Sequence, residues 1–531
     1  MLNTFRQKLV VSLLTAVILP LGAPAFAQEP VSGGHLTYGL ASYPPCLDRV
    51  QSNPNPAVFQ QVVDNLLDQD PQTGKIVPYL ATDWKIDDEG RKYTFHLRDG
   101  VTFSNGETLT AEVVADNFKL LWKMGNEGTG VTALTFLTGF KSADATDPKT
   151  VVITFEQPNA GFEQALTEKG LAILAPATLK ASLEDRCAKG VIGSGPFVIN
   201  EVRYNESVTL KRREEYNWGS AIFKHTGPAY LETLTLRAIP ERSVRVGSFV
   251  SGEIQAFFDA STDDLANVEG SGATVVSATS SGIAGALLVN TSDPLLSELP
   301  VRQAFQRGIN RKEIIDGLYA SRIKPATGVL STNHPGYLDQ SADLAFNPDA
   351  AADLLEKAGW AKGADGIRAK DGKRLALNIS YSGASEQPVF ELIQQQLKTL
   401  GIETVLVAQS SAEQVEARKA GKWQLDWRTW GRADTDALNF VYSTKLSQNR
   451  GMAERPDLDA RLKELGAQAD PAKRKALADG IQKELVEQAY TLPIREVTLF
   501  VPVSPDVQGF YLTNDPWRPV FYDTWIAAGS N

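Results

Sequence analysis

Apolar and polar positions alternate in several stretches of this chain. In Lys92 to Leu97, Tyr93, Phe95 and Leu97 share one face and Thr94 and His96 the other, as in a half-buried hairpin strand. His35 to Leu40 alternates in the same way after Gly33-Gly34 and reads as an edge strand at the mature N-terminus. Elsewhere the apolar spacing is helical. Val58 to Leu67 reads as a helix, as does Thr110 to Phe118 with Thr110 as its N-cap. Asn347-Pro348-Asp349 opens a third, with Leu354 and Leu355 facing inward and Gly359 closing it. The strand Leu375 to Ile379, the helix Pro388 to Leu400 and the strand Ile402 to Val407 make one βαβ unit, whose crossover should be right-handed. Gln424 to Trp430 follows as a further strand, and Pro471 to Gln488 is the last helix. The fold class is therefore α/β.

The N-terminus departs from this pattern. Arg6 and Lys8 precede an apolar run, Leu9 to Leu21, and the small-residue site Ala25-Phe26-Ala27, which together read as a secretory leader cut before Gln28. No later stretch reaches the roughly 18 apolar residues of a membrane span, and no cysteine follows the run as a lipid acceptor. The expectation is a soluble exported protein in the periplasm of a Gram-negative cell. Without residues 1–27, 504 of the 531 residues remain. A single core stops growing at about 250–300 residues, so at least two lobes are required. Losing Arg6 and Lys8 takes the formal charge from −10 to −12, which opposes binding to nucleic acid or to an anionic membrane. In an oxidising compartment the two cysteines, Cys46 and Cys187, are expected to form one disulfide. The four histidines are far apart in sequence, so a histidine-built metal site is not expected, and no cofactor is implied.

Candidate chemistry concentrates in Trp423 to Tyr442, which holds three tryptophans, two arginines and three aspartates. If Gln424 to Trp430 is a strand ended by Gly431, then Trp430, Arg432, Asp434 and Asp436 stand beyond its carboxyl end, where open α/β sheets bind ligands. Trp427 belongs to the same candidate set. The alternative is that Trp427 and Trp430 are core and the aspartates solvated turn residues. Catalytic motifs are absent: there is no G-x-S-x-G elbow, no H-E-x-x-H, no P-loop and no G-x-G-x-x-G. A binding protein is therefore expected in preference to an exported hydrolase.

Residues 80–112 (LATDWKIDDEGRKYTFHLRDGVTFSNGETLTAE) closely resemble the signature of the family 5 solute-binding proteins of ABC importers, a family with oligopeptide-, dipeptide- and nickel-binding members. Ile192 to Phe197, Tyr216 to Gly219, Leu234 to Pro240, Gly252 to Ile254 and Val301 to Arg311 resemble further motifs of that family. The resemblance implies a two-lobe periplasmic-binding-protein fold of type II with an extra subdomain in the first lobe. On this reading lobe I spans 28–282 with the subdomain at about 70–190, lobe II spans 283–502, and 503–531 return to lobe I. The crossings fall near Ser280 to Ala284 and near Phe500 to Val503, and Ser277 to Gly285 is a small-residue loop suited to a hinge. The implied partners are a small-molecule or peptide ligand and the permease subunits, with the protein itself a monomer.

The ligand class is less sharply marked. Where peptide-binding relatives place an aspartate that pairs the ligand's amino group, this chain has Ala433, with the acid moved one place to Asp434. Nickel and metallophore binders carry a tryptophan here that stacks on the chelate, which Trp430 matches, and a basic residue that holds chelate carboxylates, which aligns with Lys169. Arg432 adds a cation between them. An aromatic plate, a cation and an anion suit a zwitterionic solute such as a short peptide, with an opine-type conjugate or a metal chelate as the alternative. Mutual pairing of Arg432 and Asp434 at the cleft rim is the other outcome.

Overall fold

The βαβ unit closes as its periodicity requires: Ala376–Tyr381 and Glu403–Ala408 pair in parallel, and the helix Gln387–Thr399 crosses between them. In the computed structural model, residues 29–527 are described apart from 52–56, 88, 131–135, 447–448, 450–451 and 514, so the expected leader lies outside the described residues. The unit belongs to a five-stranded sheet in the order Glu403–Ala408, Ala376–Tyr381, Leu425–Gly431, Gly282–Val289, Thr491–Arg495. A second, seven-stranded sheet runs Thr274–Thr279, Thr498–Val503, Ala256–Phe257, His35–Leu40, Thr233–Ala238, Ser207–Arg212, Phe197–Arg203. The apolar interior divides likewise, one core drawing on residues 36–258 and 499–522 and another on 287–494. A four-stranded antiparallel sheet formed within 81–155 is covered by the helix Ala111–Asn126, whose first turn is capped by Thr110 accepting from Val113 N–H at 3.3 Å. Asn347 caps its helix as read, accepting from Ala350 N–H at 2.9 Å.

Several local expectations change for identifiable reasons. His35–Leu40 is an interior strand, parallel to both neighbours. Leu36, Tyr38 and Leu40 are buried on one side. On the other, Gly39 lets Ile254 pack onto the backbone, where a Cβ would come within 2.8 Å of Ile254 Cδ1. Of Val58 to Leu67 only Phe59–Val62 is helical, and a short strand, Leu67–Gln69, follows. The polar residues between them bond groups far away in sequence, which a continuous helix would not permit. Ser277 to Gly285 is mostly paired strand, not loop: the sheets are joined at Ser280–Ser281, and Gly282 allows the approach because a Cβ there would lie 2.0 Å from the Trp430 carbonyl oxygen. The return crossing falls at Glu496–Val497, earlier than Phe500 to Val503, since Thr498–Val503 pairs along its length with Thr274–Thr279.

Cys46 and Cys187 are bonded across 141 residues of chain. Beside them the Leu47 amide donates to the Cys187 carbonyl at 2.9 Å, and Arg186 pairs with Asp48 at 2.8 Å with both side chains buried. Thiol titration of the denatured, unreduced protein is expected to find no free cysteine. Reduction should lower the unfolding free energy by about 4–5 kcal/mol on the chain-entropy model. Two titratable thiols would contradict the bond.

Candidate functional site

One short segment, residues 60–66, organises the first lobe's side of the space between the sheets. The Asp64 carboxylate is fully buried and accepts from the Tyr79 hydroxyl, from Ser194 Oγ at 3.0 Å, from Trp218 Nε1 at 3.1 Å and, at 3.5 Å, from the Tyr216 hydroxyl. Burial raises its pKa, against the hydrogen bonds and the Lys169 charge that favour the ionised form. The same burial, with the acid's charge, holds Tyr79 and Tyr216 protonated. Gly193 and Gly195 let the turn carrying Ser194 lie on Val62, since a Cβ at Gly193 would be 2.2 Å from the Val62 carbonyl oxygen. Asn65 Nδ2 donates to the carbonyls of Leu166 and Glu168 at 2.9 and 2.8 Å, and the Asp64 carbonyl accepts from Ile173 N–H at 3.0 Å. Gln60 and Gln61 donate to the Pro519 carbonyl at 3.1 and 2.9 Å. The stretches bearing Tyr79, Lys169 and Arg518 are thereby set around one space.

That space is a cavity of about 80 Å³ between the lobes. Tyr79, Phe223 and Tyr522 form an aromatic wall, the last two stacked at 4.4 Å between ring centroids. Glu168, Arg518 and Asp515 form an ion-pair chain, with Arg518 Nε 2.6 Å from Asp515. Lys169 lies over the Tyr79 ring, its ammonium 5.4 Å from the centroid, and Asp68 lines the same space. The second lobe closes it with Gly431, Arg432 and Ala433 from the end of Leu425–Gly431, and Ser281 lines it from the crossing. A wider opening of about 840 Å³ adjoins it through Ile222 and Thr513, which line both.

The residues singled out in the sequence separate into three groups. Lys169 and Arg432 line the cavity. Trp427 is core: it is buried, edge-on to Phe390 at 5.5 Å. Trp430 is half-buried, with its ring stacked on Phe440 at 4.0 Å and outside the cavity lining. Asp434 and Asp436 are also outside it and are taken up by Arg432, at 2.6 and 3.2 Å. Both Arg432 and Asp434 are buried, so the pairing expected for an exposed rim is a desolvated one. The backbone explains the selection: the cavity is met by the side of Ala433, and its successor Asp434 turns away. Sequence reasoning missed Asp68, Arg518, Tyr79 and Tyr522. The aromatic and acidic residues near 64–79 and 511–523 were visible, but only contacts across hundreds of residues bring them together.

Arg432 also spans the lobes. Its guanidinium lies 4.9 Å from the Phe136 ring centroid, and a Cβ on Gly161 would meet its Nη2 at 3.1 Å. The neighbouring Ala160 amide donates to the Gly466 carbonyl at 3.0 Å. Replacing Arg432 by Gln leaves the buried Asp434 and the half-buried Asp436 without their counter-ion, and unfolding measurements are expected to show about 3–5 kcal/mol of lost stability. A loss below about 1 kcal/mol would mean that the cluster is solvated.

Against Asp434 and Arg432 lies His334, also buried, whose Nδ1 accepts from Gly336 N–H at 2.8 Å. Burial pushes its imidazole down to about 4, only partly offset by the Asp434 charge. Because this is below the ordinary 6.5, the unfolded chain takes up the proton first as pH falls. Stability from His334 is therefore complete above about 6.5 and is lost on the way down to about 4, by roughly 3 kcal/mol at most. The thermal midpoint should drop more steeply between pH 7 and 4.5 for the wild type than for His334→Gln, and parallel slopes would remove His334 as the cause.

Among known proteins, the family model described as bacterial extracellular solute-binding proteins, family 5 Middle, matches residues 75–452. The nickel-binding periplasmic protein of Escherichia coli (strain K12) is 27% identical over 483 residues, covering 88% of this chain and 89% of that protein. The crystal structure of NikA from Brucella suis in complex with Fe(III)-EDTA superposes with a TM-score of 0.80 at 24% identity, over 93% of this chain and 100% of that one. The oligopeptide-binding protein AppA from Bacillus subtilis, in complex with a nonapeptide, gives 0.77 at 20% identity over 94% and 100%.

Proposed function

The chain belongs to the bacterial extracellular solute-binding proteins of family 5, and from that membership we infer that its two lobes close on a small zwitterionic solute, such as a short peptide, and deliver it to the permease of an ABC importer. The observation that carries the ligand class is the cavity between the lobes, which joins an aromatic wall to a lysine ammonium held over Tyr79. Lys169 is the group we assign to a ligand carboxylate. Export through the leader 1–27 to the periplasm belongs to the same reading, and among the described residues no helix is long and apolar enough to cross a membrane. The relatives matched are named as binding proteins, which supports a carrier in preference to an enzyme. Closure by hinge bending has a natural place at the two short crossings, 280–281 and 496–497.

A carboxylate-rich chelate or an opine-type conjugate is the second reading, favoured by Lys169 and by the names of the nickel-binding and Fe(III)-EDTA-bound relatives. Against the chelate stands Trp430, which packs on Phe440 away from the cavity. Among the described residues no group of three or more His, Cys, Asp or Glu side chains could hold a metal ion.

Thermal-shift screening of the mature protein against short peptides, opines and metal chelates should give stabilisation with one class. A ligand at 100 times its dissociation constant adds about 2.7 kcal/mol. Lys169→Gln should weaken the identified ligand by about thirtyfold or more. A library covering these classes that shifts nothing would count against the carrier reading.

A further inference from the structure

One acidic and one basic side chain face the cavity without an ion-pair partner, Asp68 and Lys169. Asp68 stands half-buried on the short strand Leu67–Gln69. Its Oδ1 accepts from the Gln69 amide at 2.9 Å, and among the described residues no lysine, arginine or histidine pairs with it. Lys169 likewise has the Tyr79 ring beneath it but no carboxylate within ion-pairing distance among those residues. The charges that could have neutralised them are already engaged: Arg518 holds Glu168 and Asp515, and Arg432 holds Asp434 and Asp436. The pair is too far apart to bond yet close enough to interact. Burial drives the Lys169 ammonium toward neutrality, and Asp68 is the strongest charge opposing that. An acid and a base that are each partly desolvated and lack an ion-pair partner are stabilised when a third body supplies both counter-charges.

We propose that Asp68 and Lys169 are the two poles of the ligand site, Asp68 taking an ammonium group of the solute and Lys169 its carboxylate. This deepens the zwitterionic reading above and rests on it. It also assigns amine recognition to the first lobe, since Ala433 leaves the second lobe no acid on the cavity and Asp434 faces Arg432. The charged head of an amino acid or short peptide then occupies the 80 Å³ space, and the remainder extends past Ile222 and Thr513 into the 840 Å³ opening. Asp68 acts as a selectivity element as well, because an N-acylated peptide brings only a neutral amide to it and an all-carboxylate chelate brings negative charge.

The test is calorimetric titration of the wild type, Asp68→Asn and Lys169→Gln with alanine, dialanine and trialanine, each free, N-acetylated and C-amidated, and with iron(III)–EDTA. The wild type is expected to prefer one free zwitterion over its N-acetyl and amide forms by about thirtyfold or more. Asp68→Asn should erase the preference over the N-acetyl form while keeping the preference over the amide, and Lys169→Gln should do the reverse. The asparagine retains the acceptor for the Gln69 amide, and the unliganded thermal midpoint checks folding, with Asp68→Ser as a second variant. If Asp68→Asn and Asp68→Ser weaken free and acetylated forms equally, the Asp68 assignment is overturned and the carrier reading stands. Binding of the chelate with no response to any free zwitterion overturns the zwitterionic reading and this proposal with it.

Discussion

A buried carboxylate, Asp64, is the constraint on which the ligand side of the first lobe depends. A carboxyl group removed from water is tolerated only if hydrogen-bond partners surround it, and the partners here come from three separate stretches: Tyr79, Ser194, and the pair Tyr216 and Trp218. Satisfying one buried acid therefore fixes three pieces of chain. The hydrogen bonds of Gln60, Gln61 and Asn65 extend the same logic to the carbonyls of Leu166, Glu168 and Pro519. Because these are side-chain to backbone bonds, they position the carriers of Lys169 and Arg518 without consuming their charged ends. The anion also reaches Lys169, where it helps Asp68 to keep the ammonium ionised against burial.

The second lobe works by subtraction. Its charged groups in 432–436 engage one another, since Arg432 pairs with both Asp434 and Asp436. What it presents to the cavity is backbone and small side chains, Gly431 and Ala433, along with the inner edge of Arg432. That division suits a closing device. The charged cluster meets Phe136 and Gly161 across the cleft, giving the lobes a polar and aromatic contact. On the proposed reading the recognition groups, Asp68 and Lys169, belong to the first lobe, where a solute would meet them before closure. A ligand that bridges the two unpaired poles would favour the closed arrangement through its differential contacts with that state.

Much of this was legible in the chain, and the failures follow one rule. Strands, helices and caps that depend on neighbours within a few residues were readable: Tyr93, Phe95 and Leu97 point to one face, and Thr110 and Asn347 cap their helices. Errors arose where polar residues serve distant partners. Val58 to Leu67 has helical spacing, yet its glutamines, Asp64 and Asn65 bond residues about a hundred or more positions away, and the helix stops after one turn. The small residues of Ser277 to Gly285 resembled a loop, whereas they allow two strands and the Trp430 backbone to lie close.

By itself the sequence determined the α/β class, the need for more than one lobe and the family signature in residues 80–112, because periodicity, length and local motifs are properties of contiguous chain. It also located a dense cluster of charge and aromatic rings at 423–442. Only the tertiary structure decided which of those groups are free. Arg432, Asp434 and Asp436 lie within five residues and satisfy one another, while Glu168 meets Arg518 from 350 residues away and leaves Lys169 and Asp68 unpaired. The availability of a charge depends on the distance to its nearest counter-ion in space, and composition along the chain carries no measure of that distance.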